Sequence, residues 1–335
     1  MQKFVFFLYL CGMKFKEIIQ PVEPAFQKFK QEFSSAMTSE IPLLNEVFEH
    51  VLACQGKQIR PILILLSAEI CGGITAKSYR SAVSMEMLHL GTLLHDDVVD
   101  QAEMRRNQPS VNKKWGNKVA ILVGDYLFSE TLKTITVHKD YGVLELINEA
   151  IKKVCEGELI QMQNTANIDI SEDIYYDIIS KKTASLFAAA CACGAFSAGA
   201  TEKNITTFYQ IGWHLGMAFQ IKDDLLDLLP NAETGKTKGN DIHEQKFTLP
   251  LIQFLKTAPE FDKQSALDTI QNHYLNMEKI QELSQQILDS KSLIYTETRI
   301  AEHIDITNNL LSSFPNGIGK TTFQNLMNFI ANRNH

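Results

Sequence analysis

Apolar residues recur at three- and four-residue spacing through almost the whole chain, and no stretch alternates convincingly between apolar and polar. Val, Ile and Leu at those intervals give each segment one buried stripe on a helix, so an all-α architecture follows. The periodic segments cover approximately residues 14–36, 41–54, 60–71, 76–101, 116–138, 141–164, 172–199, 203–229 and 247–257, and shorter ones continue to 332. Pro42, Pro61, Pro109, Pro230, Pro250, Pro259 and Pro315 stand at or near the breaks, where a residue without an N–H does least damage. Pro21 and Pro24 fall inside the first segment, which predicts a kink there or a later start.

A chain of 335 residues is long enough for about two domains. No Gly/Ser/Pro-rich or single-sign charged linker divides it, so the pattern predicts one domain over residues 13–335. Residues 1–12 read as an extension or a start-site artefact, with Met13 as an alternative start. Their apolar run, 4–11, is far short of the roughly 20 residues that span a bilayer, and no small-x-small cleavage site follows it. The six cysteines lack paired metal-ligand spacing, and Cys191 and Cys193 lie in an Ala-rich helical stretch. A reducing, cytoplasmic setting fits them. A net charge of -7 gives no nucleic-acid footprint.

The chemistry concentrates in one acidic pattern that occurs twice, as Asp96-Asp97-Val98-Val99-Asp100 and as Asp223-Asp224-Leu225-Leu226-Asp227. At ~100° per residue, positions i, i+1 and i+4 fall on one side of a helix, so each copy gathers three carboxylates there. An isolated Asp pair is ordinarily a solvated face or a cap. Two triads inside apolar sequence repel internally and resist desolvation unless a cation joins them. A hard divalent ion answers this need, because magnesium takes a few carboxylate oxygens and leaves positions for water and phosphate. Facing each other across a bundle, the two triads would form a magnesium-bridged diphosphate site. Each runs into a basic loop: 103–114 carries Arg105 and Arg106, while 230–246 carries Lys236, Lys238 and Lys246. Upstream, Gly56-Lys57-Gln58-Ile59-Arg60-Pro61 places two cations just before a helix N-terminus, a surface turn by itself but suited to a diphosphate. His89 lies about two turns before Asp96 on nearly the same face. Alone it would be a satisfied core histidine.

Together these segments resemble the trans-polyprenyl diphosphate synthases over residues 14–333, especially long-chain members of the heptaprenyl, octaprenyl or solanesyl kind. The resemblance rests on Gly56-Lys57-x-x-Arg60-Pro61, on Leu93-Leu94-His95 leading into the first acidic motif, and on Arg105-Arg106 with Pro109-Ser110. It continues through Gly124-Asp125-Tyr126, Glu158 with Gln161, Lys182-Thr183, Phe219-Gln220-Ile221 before the second motif, and Gly235-Lys236 to Lys246-x-Thr248-Leu249-Pro250. It implies an isoprenoid synthase fold, a single large orthogonal helical bundle around a central apolar cavity. It also implies magnesium, about three ions gathered with bound diphosphate, and a homodimer. By the same resemblance Asp96, Asp100 and Asp223 are direct metal ligands, with Asp97, Asp224 and Asp227 as further ligands or supports. Lys57, Arg60, His89 and Arg106 hold isopentenyl diphosphate, while Arg105, Lys182, Thr183, Gln220, Lys236 and Lys246 hold the allylic diphosphate or its metal cluster. No side chain is assigned as general base, since the released diphosphate serves. Three positions depart from the family pattern: Gln58 where Arg is common, and Asn107 and Gln245 where Gly is common.

The implied activity adds isopentenyl diphosphate head-to-tail to farnesyl or geranylgeranyl diphosphate. The allylic tail should run back along the helix from Asp96, meeting Thr92 and Gly91, then Leu88 and Met87. Gly91 and Thr92 are small where short-chain members carry an aromatic, so the expected product has about forty carbons, at ~5.4 Å of helix per isoprene unit, and suits a quinone side chain. A farnesyl or geranylgeranyl synthase, or a non-catalytic subunit of a heteromeric synthase, is the alternative. A terpene cyclase would have no use for Lys57, Arg60 and His89. No stable membrane insertion is expected, only transient contact while so apolar a product leaves.

Overall fold

The computed structural model describes residues 14–229 and 239–333. The calls on residues 1–12 and on Lys236 and Lys238 lie outside them. Helices dominate, as the periodicity predicts: α1 Phe15–Ile19, α2 Glu23–Ala36, α3 Pro42–Ala53, α4 Ile59–Cys71 and α5 Ala76–Val99 come first. A short hairpin, β1 Met104–Arg105 and β2 Gln108–Pro109, precedes α6 Val111–Trp115, α7 Asn117–Val137 and α8 Tyr141–Gln163. Then follow α9 Glu172–Ile179, a π turn Ser180–Ala184, α10 Ser185–Ser197, α11 Glu202–Leu228 and α12 Asn240–His243. The chain closes with α13 Leu249–Thr257, α14 Glu260–Asn272, α15 Met277–Asp289, α16 Lys291–Ser312 and α17 Ile318–Asn332. Pro21 lies in a 3-10 turn, Gln20–Val22, and Pro24 in the first turn of α2, so the first segment is kinked and restarts there.

At the centre is α10. Almost all of it is buried, and it packs lengthwise against α11, α4 and α8. Its Ala, Cys and Gly residues make this possible. A Cβ on Gly194 would stand 2.3 Å from the Ile64 carbonyl oxygen, so no other residue permits α4 to come this close. Phe187 of α10 and, on its neighbours, Phe208 and Phe323 are fully buried, each stabilising by about 1.5–3 kcal/mol relative to exposure. α5 lies along α7 and α4 instead. Its N-terminus is fixed by a capping box between Thr75 and Ser78, and Ser78 Oγ reaches Ser197 Oγ on α10 at 2.7 Å.

One continuous helix over 172–199 is the sequence expectation, and the π turn interrupts it. The extra residue per turn rotates Lys182 toward α8 and Thr183 toward α11, a use typical of π-bulges. All three departures from the family pattern adopt left-handed backbone: Gln58 at φ 50°, Asn107 at φ 63° and Gln245 at φ 54°. Each costs on the order of 1 kcal/mol that glycine would not. Asn107 with Arg106, also at positive φ, makes the tight turn of the hairpin, where Asn is well tolerated.

Candidate active site

The first acidic wall is the C-terminal turn of α5. Asp96 is part-buried, and burial pushes its carboxyl up to about 6, with Lys182 opposing the shift and Glu158 adding to it. Asp100 is raised by burial too, against Lys246 and Lys182. Asp97 is different. It is 2 % exposed, and both of its oxygens accept from Arg105 Nε at 2.8 Å, with Arg105 Nη2 at 2.6 Å from Oδ1. Asn112 Nδ2 donates to the Asp97 and Ala102 carbonyls at 3.1 and 3.0 Å. The hairpin is therefore tied to α5 through Asp97, and Arg105 is engaged there.

The second wall is the end of α11. Thr183 Oγ1 donates to Gln220 Oε1, Gln220 Nε2 donates to Asp224 Oδ1, and the Tyr175 hydroxyl donates to Asp224 Oδ2, each at 2.7 Å. Burial still pushes the Asp224 carboxyl up to about 7. Asp223 pairs with Arg333 Nη2 at 2.7 Å, and Asp227 Oδ2 accepts the Asp241 backbone N–H at 2.9 Å. Asp241 itself is held well above the usual carboxylate range by burial and then by Asp227 and Asp224.

Two lysines lie beside the walls. Lys182 pairs with Glu158, donates to Gln161 Oε1 at 3.3 Å and acts on both Asp96 and Asp100. Burial opposes the charge of Lys246, but Glu244, Asp241 and Asp100 outweigh it. A single lysine thus feels Asp100 of the first wall and Asp241 beside the second. Lys182, Thr183, Gln220, Asp224, Asp241 and Lys246 line one cavity.

A basic pocket adjoins Asp223. The first-turn Arg60 of α4 stacks on Phe187, with 5.0 Å from guanidinium carbon to ring centroid, and its Nη1 donates to His89 Nε2 at 3.0 Å. Arg60 has only donors, so His89 Nε2 accepts and its Nδ1 carries the proton. Burial lowers Arg60 to about 10 and keeps His89 neutral. Lys57 lies over the Phe329 ring at 4.8 Å. Arg106 Nη1 donates to the Cys54 carbonyl at 2.9 Å, its guanidinium covering Gly56. Arg60 Nε, His89 Nδ1 and Gln58 Nε2 are buried without partners.

Gly91 faces α7. A Cβ there would lie 3.0 Å from Phe128 Cε1 and 3.3 Å from the Gly124 carbonyl oxygen, so its small size serves helix contact. Thr92 is buried, its hydroxyl donating to the His89 carbonyl at 2.8 Å, and Leu88 and Met87 are buried too.

Sequence reasoning missed Asp241, Tyr175, Arg333 and Glu86. Glu86 did leave a signal, a single charge within the otherwise apolar run 82–88. The other three have none: Asp241 is one of several charges in the loop 230–246, Arg333 is a lone charge brought in by tertiary packing, and Tyr175 sits on an ordinary amphipathic helix. Among the described residues, no three His, Cys, Asp or Glu groups converge closely enough to hold a metal by themselves. The available donors are carboxylate oxygens on opposed walls. Such a set fits a hard divalent ion that arrives with phosphate oxygens and fits no soft or fully caged metal.

The sequence profile of the polyprenyl synthetase family matches residues 41–287. The chain is 31% identical to component 2 of the heptaprenyl diphosphate synthase of Bacillus subtilis over 97% of this chain and 93% of that protein. It is 30% identical to the octaprenyl diphosphate synthase of Haemophilus influenzae over 96% and 98%. A polyprenyl synthase of Caulobacter crescentus, crystallised with calcium and isoprenyl diphosphate, superposes with a TM-score of 0.90 at 28% identity over 96% and 98%. An all-helical bundle, two acidic walls linked through Lys246 and likeness along nearly the whole chain to such proteins converge: the chain belongs to the polyprenyl synthetase family and is a prenyltransferase.

Proposed function

We propose that the chain is a magnesium-dependent synthase that extends farnesyl or geranylgeranyl diphosphate with isopentenyl diphosphate to about forty carbons, one helical turn of ~5.4 Å accommodating roughly one unit. The observation that carries this reading is Lys246, which acts on Asp100 and Asp241 at once and so joins the two acidic walls. Asp96, Asp100 and Asp223 would hold the metal, Asp97 and Asp224 serving as anchored supports and Asp227 joining from the same turn. Bound magnesium supplies charge that stabilises the departing diphosphate. Lys182, Thr183 and Lys246 bind that diphosphate, Gln220 orients Thr183 against Asp224, and Arg105 steadies the loop through Asp97. Lys57, Arg60, His89 and Arg106 bind the second diphosphate.

In this reading the allylic C–O bond breaks, its electron pair leaving with the diphosphate, and the isopentenyl double bond forms the new C–C bond. A proton passes to the released diphosphate, and the product keeps the diphosphate of the isopentenyl partner. The apolar surroundings keep water from the cation. Full-length protein with magnesium, farnesyl diphosphate and labelled isopentenyl diphosphate should yield a ladder ending near forty carbons; no incorporation by the chain alone would turn the reading toward a subunit needing a partner, as the name of the Bacillus protein suggests.

A homodimer fits the outer face of α7 and α8, where Leu122, Leu132 and Leu159 are 68%, 51% and 62% exposed. Large apolar side chains left exposed on these helices are suited to an interface. Leu122→Lys should convert dimer to monomer in light scattering after size exclusion, and an unchanged mass would remove α7 from the interface. Residues 14–333 would act as one domain in the cytoplasm, since no described helix is long and apolar enough to cross a membrane and the described cysteines are free.

A further inference from the structure

The basic pocket contains a carboxylate of the wrong sign for its task. Glu86 lies on α5 one turn before His89 and is 7% exposed. Arg60 from α4 and Arg106 from the hairpin turn both favour its charged form. Burial outweighs them and raises its carboxyl to about 6, so it remains mostly ionised at neutral pH. A buried charge that opposes the ligand is costly to keep and needs a reason.

The reaction supplies one. Each condensation leaves the product attached to the diphosphate that entered with the isopentenyl partner. A further round requires that same group to leave the basic pocket and settle between the acidic walls. Lys57, Arg60 and Arg106, with the buried unpaired Arg60 Nε and His89 Nδ1 beside them, would otherwise hold a diphosphate too firmly for repeated transfer. We propose that Glu86 sets the grip of the isopentenyl diphosphate pocket, weakening it enough for the product's diphosphate to be handed on. The proposal rests on the assignment of that pocket to isopentenyl diphosphate. Glu86 acts through Arg60 and Arg106 and touches no reacting atom, so it is a positioning residue whose effect is electrostatic.

Glu86→Gln tests this, because the amide keeps the volume and a carbonyl acceptor and removes only the charge. At the effective dielectric of a part-buried site, losing one repulsive charge should tighten isopentenyl diphosphate binding by about three- to tenfold. Titration calorimetry on the full chain should show that fall in Kd, and kinetics should show a lower KM for isopentenyl diphosphate, an allylic KM within about twofold, a reduced kcat and a shorter product ladder. A merely structural role predicts the reverse, weaker binding with a lower Tm. Unchanged or weaker binding with a wild-type ladder would overturn the proposal while leaving the pocket assignment intact. Wild-type protein that neither binds nor consumes isopentenyl diphosphate would overturn both. If the Gln variant does not fold, Glu86→Asp draws the charge back from both guanidinium groups and should tighten binding by about twofold; no tightening there also defeats the idea.

Discussion

Asp96→Asn is expected to reduce kcat by about a thousandfold or more while leaving the fold intact, because on the proposed assignment it weakens the hold on the metal whose charge stabilises the departing diphosphate as the bond breaks. Burial and the nearby Glu158 already make the Asp96 charge expensive, as its carboxyl at about 6 records. That expense is repaid only when a cation is present. The amide has the same shape and still accepts a hydrogen bond, so the loss should appear in kcat and in the magnesium requirement rather than in Tm. In the metal-free protein Tm should be unchanged or slightly higher, since an unfavourable buried charge has gone. Initial rates of isopentenyl incorporation across a magnesium series provide the check. A variant that keeps more than about a tenth of the wild-type rate at saturating metal would remove Asp96 from the metal site.

The contrast with Asp97 shows what the sequence could and could not specify. Two adjacent aspartates look interchangeable in the motif, yet one faces Lys182 while the other accepts two hydrogen bonds from Arg105 Nε. A helix turns by ~100° between neighbours, so the periodicity makes clear that they point apart. Which of them meets the cavity depends on α8 and the hairpin, and the period alone does not place those. The all-helical architecture and most helix ends were legible because apolar spacing and proline positions are local signals. The π turn was not. Ser-Lys-Lys-Thr-Ala has ordinary helical character, and the extra residue arises from contacts with Glu158 on one side and Gln220 on the other.

Asp241 and Arg333 were hidden for a related reason. Arg333 is a single charge far along the chain from Asp223, and tertiary packing alone joins them, while Asp241 meets Asp227 through its backbone N–H, which no side-chain pattern signals. The three departures from the family pattern, all at left-handed positions, illustrate the opposite case. At 107 and 245, where Gly is common in the family, the backbone takes the glycine-like conformation without glycine, with Gln245 Nε2 anchored to the Ile270 carbonyl at 2.9 Å.

Thr92→Phe is expected to end the product ladder at about three or four isoprene units, a larger effect than Gly91→Phe at the neighbouring position. Thr92 lies one turn before Asp96 on the same face of α5, the face that meets Glu158 of α8. Cys155, three residues before Glu158 on α8, is exposed and lies within reach of the Asp96 charge. On the proposed reading an allylic tail leaving the acidic walls would run between α5 and α8 past Thr92, and a ring at 92 would enter its path. Gly91 is turned toward α7, where Phe128 and the Gly124 carbonyl already fill the contact. A ring at 91 must first displace Phe128 and wedge the helices apart, overpacking that costs typically 1–3 kcal/mol. Its expected signature is therefore a lower Tm accompanying any shortening, whereas Thr92→Phe should shorten the product with little change in Tm. Thin-layer chromatography of the dephosphorylated products, alongside thermal melts of both variants, separates the two. A wild-type ladder from a folded Thr92→Phe protein would mean that the tail does not run between α5 and α8.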